Sequence, residues 1–235
     1  LFKENEKKGG YQIHLSPQAS HLALHMNMTT KNQRLRALFQ VRQFRIAVSY
    51  AINREKMNDL VYDGMCTPRQ YSPDEGSPQY YEKLSNAYIE YAPEKADALL
   101  DDMGLTERDA EGFRKFNDGS GDTVSFVFEH HTQAGDPGED AAQMVMRDLA
   151  AVGIKATYKY FERSLYTQHY EANDIEAGWA GGDRSILPIV TPWIFMGTQI
   201  DREWAVAWGL WYNSNGTDPN GEEPPADHWI RTIWE

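Results

Sequence analysis

Residues 123–160 read TVSFVFEHHTQAGDPGEDAAQMVMRDLAAVGIKATYKY. Val124, Phe126 and Phe128 fall on one face of an extended segment, so 123–129 is predicted to be a half-buried strand. From about residue 137 the period changes to that of a helix, with Ala141, Ala142, Val145, Leu149 and Val152 forming one stripe. Gly153 ends that helix. Ile154, Ala156, Tyr158 and Tyr160 then alternate along a second strand. Strand, helix and strand at this spacing form a βαβ unit, which requires parallel strands and a right-handed crossover. A short helix over 163–171 leads to a further strand at 174–179. The fold class is therefore α/β: a mixed, mostly parallel sheet flanked by helices.

The segment that follows is the candidate site. Residues 174–193 are DIEAGWAGGDRSILPIVTPW. Ile175, Ala177 and Trp179 share one face of the strand, and Gly181 and Gly182 let the backbone turn where a Cβ would obstruct it. Asp183 and Arg184 come next, and Pro188 and Pro192 stiffen the continuation. Open α/β sheets bind ligands in the crevice beyond the carboxyl ends of their strands. Trp179, Gly181, Gly182 and Asp183 are thus the candidate ligand wall. The competing reading makes Trp179 core and the glycines a plain turn.

Working outward, Tyr11, Ile13 and Leu15 alternate, then Leu22, Leu24, Met26 and Met28, which predicts two strands broken by Ser16-Pro17. His21 and His25 lie on the other face of the second strand. Four residues of strand span about 13 Å, too far for two ligands of one ion. Residues 36–63 are predicted helical, with Phe44, Ala47, Val48 and Ala51 as the buried stripe. Asn53 caps a second helix, 54–62. Arg42, Arg45 and Arg54 could form a basic patch but read as a solvated or ion-paired face, since Glu55 and Asp59 are close in sequence. Residues 65–92 show no period and form a long loop, with Tyr71, Tyr80, Tyr81, Tyr88 and Tyr91 as candidate clamps. Pro93 opens a helix that Gly104 closes. Trp204, Trp208, Trp211 and Tyr212 are partly helical in spacing. The loop 213–225 lacks the ligand order of a calcium loop and reads as solvated.

Composition narrows the function. The chain has 235 residues, a formal net charge of −12 and one cysteine, Cys66. Nucleic-acid binding needs a basic footprint that is absent, and no apolar run approaches the ~20 residues of a membrane span. One cysteine excludes an intrachain disulfide. No nucleophile elbow, phosphate loop or metallohydrolase motif is present, and His130-His131 reads as a loop-facing pair, so no catalytic residue, metal or cofactor is assigned. The chain begins with Leu1 and not Met, as expected of a piece of a longer protein.

Three motifs carry a resemblance. Arg45-Ile46-Ala47-Val48-Ser49-Tyr50-Ala51-Ile52-Asn53-Arg54, then Gly64 to Pro68, then Tyr91-Ala92-Pro93-Glu94-Lys95-Ala96 through Leu99-Leu100 and Gly104, occur in order. Together they resemble the extracellular solute-binding proteins of the peptide/oligopeptide/nickel class (family 5) of ABC importers. The resemblance implies a periplasmic-binding-protein-like fold. Residues 1–235 would form part of the C-terminal lobe of a two-lobed receptor. Within it, 11–30 would be strands leading into the lobe, 36–122 a helical and loop portion, 123–184 the βαβ core and 185–235 an aromatic tail. It implies a monomer, periplasmic or extracellular, lipid-anchored in some intact members. Such a receptor captures a small polar solute between its lobes, without bond chemistry, and delivers it to permease subunits. Family members carry a strand ending G-W-x-x-D whose Asp can pair with a peptide's amino terminus. Here Gly182 stands at that position and Asp183 one later, while Glu176 replaces the basic residue of some peptide binders. Peptide and carbohydrate therefore both remain open as solutes. A hydrolase, or a regulatory protein using a solute-binding lobe, is the alternative.

Overall fold

The computed structural model describes residues 2–14, 22–131, 135–181, 187–190, 192–198 and 203–235. In chain order the elements are α1 (Glu6–Gly9), β1 (Ala23–Met26), α2 (Gln33–Gln40), α3 (Arg42–Ala51), α4 (Arg54–Val61), α5 (Glu82–Ser85), α6 (Pro93–Asp102), β2 (Ser125–His130), α7 (Pro137–Ala151), β3 (Lys155–Tyr160), α8 (Arg163–Glu171), β4 (Ala177–Ala180), α9 (Trp193–Met196), α10 (Val206–Ser214) and α11 (Trp229–Trp234).

The four strands form one sheet in the order β1-β4-β2-β3. β2 pairs in parallel with β3 on one side and with β4 on the other, whereas β1 runs antiparallel to β4. The path β2-α7-β3 moves one way across the sheet and β3-α8-β4 moves back past β2. Right-handed crossovers in opposite directions must place their helices on opposite faces. The side chains agree. Phe126, Phe128 and Trp179 join Ala141, Val145 and Leu149 of α7 in the main core. Glu129, one residue on, points the other way and meets His169 of α8 at 3.0 Å. Tyr166, Tyr170 and Ile175 pack with Val206 and Leu210 of α10 in a second core on that side.

Local signals account for the helix ends. Asp136 accepts a hydrogen bond from the Gly138 amide at 2.7 Å, ahead of Pro137 in the first turn of α7. Asn53 accepts from the Lys56 amide at 3.0 Å, capping α4 as expected. Its own amide donates to the buried Asp148 of α7 at 2.9 Å, so the cap also fastens two helices. Gly104 follows α6 at φ +80°, where a Cβ would be strained.

Several expectations need correction. No strand forms at 11–14, and Leu15 to His21 lie outside the described residues; the second strand is limited to Ala23–Met26. The first part of the predicted helical stretch divides into α2 and α3, because Val41 adopts extended backbone, whereas the break at Ile52 before α4 is the one expected from the Asn53 cap. Arg45 and Arg54 do not pair with Glu55 and Asp59. Arg45 donates to the Phe39 carbonyl and Arg54 to the Ser49 carbonyl and hydroxyl. Burial of Arg54 without a carboxylate lowers its pKa to about 10. The loop after α4 is clamped by two of its tyrosines. Tyr71 meets His25 edge-on at 5.5 Å, and Tyr88 meets Tyr50 at 5.7 Å. Tyr81 and Tyr91 are exposed.

One organising residue escaped sequence reasoning. Arg114 is 1% exposed. Its guanidinium donates to the Val152 carbonyl at 2.8 Å, to Asp101 and the Leu105 carbonyl at 2.5 Å each, and to Asp97 at 2.5 Å. It ties the ends of α6 and α7 together at the amino-terminal edge of β2 and β3.

Candidate functional site

The carboxyl ends of β2, β3 and β4 lie side by side. At β4, the Trp179 side chain turns into the α7 face. It is 4% exposed, its indole N–H donates to the Gly138 carbonyl at 2.8 Å, and its ring meets Phe128 edge-on at 5.9 Å. The Trp179 side chain is therefore core among the described residues, and removing it cannot be neutral for stability. Gly181 follows β4 directly and is partly exposed. Gly182, Asp183 and Arg184 lie outside the described residues.

β2 ends in the paired histidines, whose rings lie 6.1 Å apart and nearly parallel. His130 is 3% exposed and donates from Nδ1 to the Trp179 carbonyl, a link between the ends of β2 and β4. Burial pushes its pKa down, so the neutral ring is favoured. It is not loop-facing. His131 is partly exposed, and its ring meets Tyr166 of α8 at 4.7 Å. β2 and β3 are adjacent parallel strands whose following helices leave to opposite faces. Ligands of open α/β sheets bind beyond strand ends so arranged, and Tyr160 stands exposed at the β3 side.

Beneath this rim, on the α8 face, lies a polar group that sequence reasoning missed. Gly178 has no side chain, and Glu203 occupies the space: a Cβ built on Gly178 would fall 2.4 Å from Glu203 Cγ. Glu203 is 2% exposed. Its Oε1 accepts from the Tyr166 hydroxyl at 2.5 Å, while Oε2 is buried without a hydrogen-bond partner among the described residues. Burial and the adjacent carboxylate raise the Tyr166 pKa well above its ordinary value, so the phenol keeps its proton. On the same face, Glu129 is paired with His169, yet burial still raises its pKa above 4.5. The usable sequence signal was Gly178, a glycine at an inward position where a strand ordinarily places a side chain.

Among the described residues, no group of three or more His, Cys, Asp or Glu side chains could hold a metal ion, and no helix is long and apolar enough to cross a membrane. In the 213–225 loop and its neighbourhood, Glu222 pairs with Arg36 at 2.7 Å and Glu223 with Arg231 at 2.6 Å. Cation pairing occupies both carboxylates.

Comparison with known proteins agrees with this architecture. Residues 2–219 match the profile of bacterial extracellular solute-binding proteins, family 5 Middle. Among solved structures, the oligopeptide-binding protein OppA is 30% identical, with a TM-score of 0.78 over 95% of this chain and 37% of its own. AppA from Bacillus subtilis, solved in complex with a nonapeptide, is 25% identical, with a TM-score of 0.65 over 80% of this chain and 36% of its own. MelB from Agrobacterium fabrum, solved in complex with stachyose, is 17% identical, with a TM-score of 0.71 over 93% of this chain and 33% of its own; it shares the fold. A search of curated proteins gave no match. The chain thus spans about a third of the length of these structures. The mixed, mostly parallel sheet flanked by helices is the periplasmic-binding-protein-like arrangement expected from the sequence.

Proposed function

We propose, from the premise that this chain belongs to the bacterial extracellular solute-binding proteins of family 5, that it forms part of the C-terminal lobe of a receptor capturing a small polar solute. The match across residues 2–219 carries this reading. Coverage of 37% of OppA is in keeping with one lobe of two. The solute, a peptide or a carbohydrate, sits against the carboxyl rim of the sheet. Gly181, Gly182 and Asp183 line that side, and Trp179 braces the strand that presents them from below. Affinity comes from desolvation in a cleft between lobes, and no bond is made or broken. The receptor works outside the cytoplasmic membrane, free or lipid-anchored, as a monomer that hands its cargo to ABC permease subunits.

The test is to purify the intact protein from its native host, denature it, and identify by mass spectrometry any released small molecule. Calorimetry with that molecule should then give saturable one-to-one binding, and the recovered molecule should be unchanged. Conversion of the molecule by the protein would replace this reading with a hydrolase. Failure of oligopeptides, oligosaccharides and the recovered material alike to bind would remove the receptor reading.

A further inference from the structure

We propose that the outer edge of β3, with the groove between it and α7, is a docking site for an extended segment of a partner protein in which acidic residues alternate with apolar ones. This surface lies outside the solute-binding reading and does not depend on it.

β3 stands last in the strand order, so one of its edges has no neighbouring strand among the described residues. The Lys155 amide donates to the Val124 carbonyl at 3.1 Å, and the Phe161 amide to the His130 carbonyl at 2.9 Å. Those residues face β2. Backbone groups alternate in direction along a strand, so Ala156, Tyr158 and Tyr160 direct their amides and carbonyls to the open edge. There the Tyr158 amide meets Sδ of Met146 at 3.1 Å. A thioether is a weak acceptor, and a peptide carbonyl is a better one. Beside the edge runs a groove of about 370 Å³, whose lining includes Phe113, Met146, Ala150, Ile154 and Ala156. Main-chain bonds along an edge, with pockets for alternate side chains, are the two parts of recognition by strand addition.

Charge decides the occupant. The chain carries a net −12, yet this edge is cationic. Lys155 and Lys159 of β3 are exposed, and Arg147 of α7, bonded to Asp148, remains 55% exposed at the groove. Lys155 already holds one surface carboxylate, Glu111 at 3.2 Å. Lysines on an edge disfavour pairing with a like strand, which selects against a second copy of this chain. The same lysines favour a strand that brings carboxylates.

The experiment uses the full-length protein and fluorescence anisotropy with two labelled, end-capped hexapeptides, acetyl-Glu-Val-Glu-Val-Glu-Val-amide and its counterpart with Lys in place of Glu. The acidic peptide should bind the more tightly. Ala156→Pro deletes an outward amide and spares the bonds to β2, so it should weaken that binding about tenfold, as for one lost backbone hydrogen bond. Lys159→Glu should weaken the acidic peptide and strengthen the basic one, by roughly threefold each, the scale of an exposed ion pair. This surface change keeps the test decisive should circular dichroism show that the proline disturbs the fold. Absence of binding by the acidic peptide, or equal binding of the two, overturns the docking site. Binding that both variants leave unchanged overturns it too, puts the peptide elsewhere on the protein, and leaves the receptor reading intact. Self-association that Ala156→Pro abolishes overturns it in favour of a second copy.

Discussion

The sheet has two faces made of different chemistry. Toward α7, β2 and β4 present Phe126, Phe128 and Trp179, closed by Ala141, Val145 and Leu149. Toward α8, the same strands present Glu129 and the bare backbone of Gly178, with Glu203, Tyr166 and His169 above them. The first face is packed by dispersion and burial, and at the rim the Trp179 indole nitrogen and His130 Nδ1 both have partners. The second is held by hydrogen bonds between ionisable groups, one of which is incomplete. The difference separates a surface that maintains the fold from one that has retained reactive polar groups at a cost to stability.

That contrast can be broken most sharply at Trp179. Trp179→Ala should destabilise the protein by about 3–5 kcal/mol in urea titration, as for other buried large-to-small changes. A loss below about 1 kcal/mol would mean that the α7 face is not the packed one. Next is Gly178→Ala, whose new methyl would press on Glu203 Cβ and Cγ. A cost of about 1–3 kcal/mol is expected from overpacking. Combining it with Glu203→Ala should recover much of that cost, since contacting residues couple in a double-mutant cycle. Additive losses would place the strain elsewhere.

The smallest effect concerns pH and differs in sign between the faces. On the α7 face, His130 has its pKa depressed below 6.5 by burial. Its contribution to stability is fully present above 6.5 and is lost as pH falls through the folded value. On the α8 face, Glu129 has its pKa raised above 4.5, chiefly by burial. Its contribution is present below 4.5 and is lost as pH rises through the folded value. Thermal melts of wild type, His130→Gln and Glu129→Gln across pH 4 to 8 check this. Relative to wild type, the first variant should flatten the acid side of the profile and the second should gain stability as pH rises. The same slope change in both would erase the distinction.

How far the sequence disclosed this arrangement follows from range of interaction. The βαβ unit was legible because alternation in Val124, Phe126 and Phe128, and the stripe from Ala141 to Val152, are local patterns imposed by a nearby core. Asn53 and Pro93 were legible because caps and first-turn prolines act within four residues. Arg114 was not, because its partners, Asp97, Asp101, Leu105 and Val152, come from separate parts of the chain and no period marks it. Glu203 was hidden for the same reason, since its meaning depends on a glycine 25 residues earlier and a tyrosine on another helix. For Trp179, alternation identified the buried face but could not say whether the cover was helix or ligand.

Arg114 fixes the amino-terminal edge of the sheet, where one side chain gathers the ends of two helices. At the opposite edge, β2 and β3 stay paired to their last residues and the His130 ring donates across to the Trp179 carbonyl of β4. The sheet is thus pinned at both ends, so a load applied at the rim would meet strands already held in register.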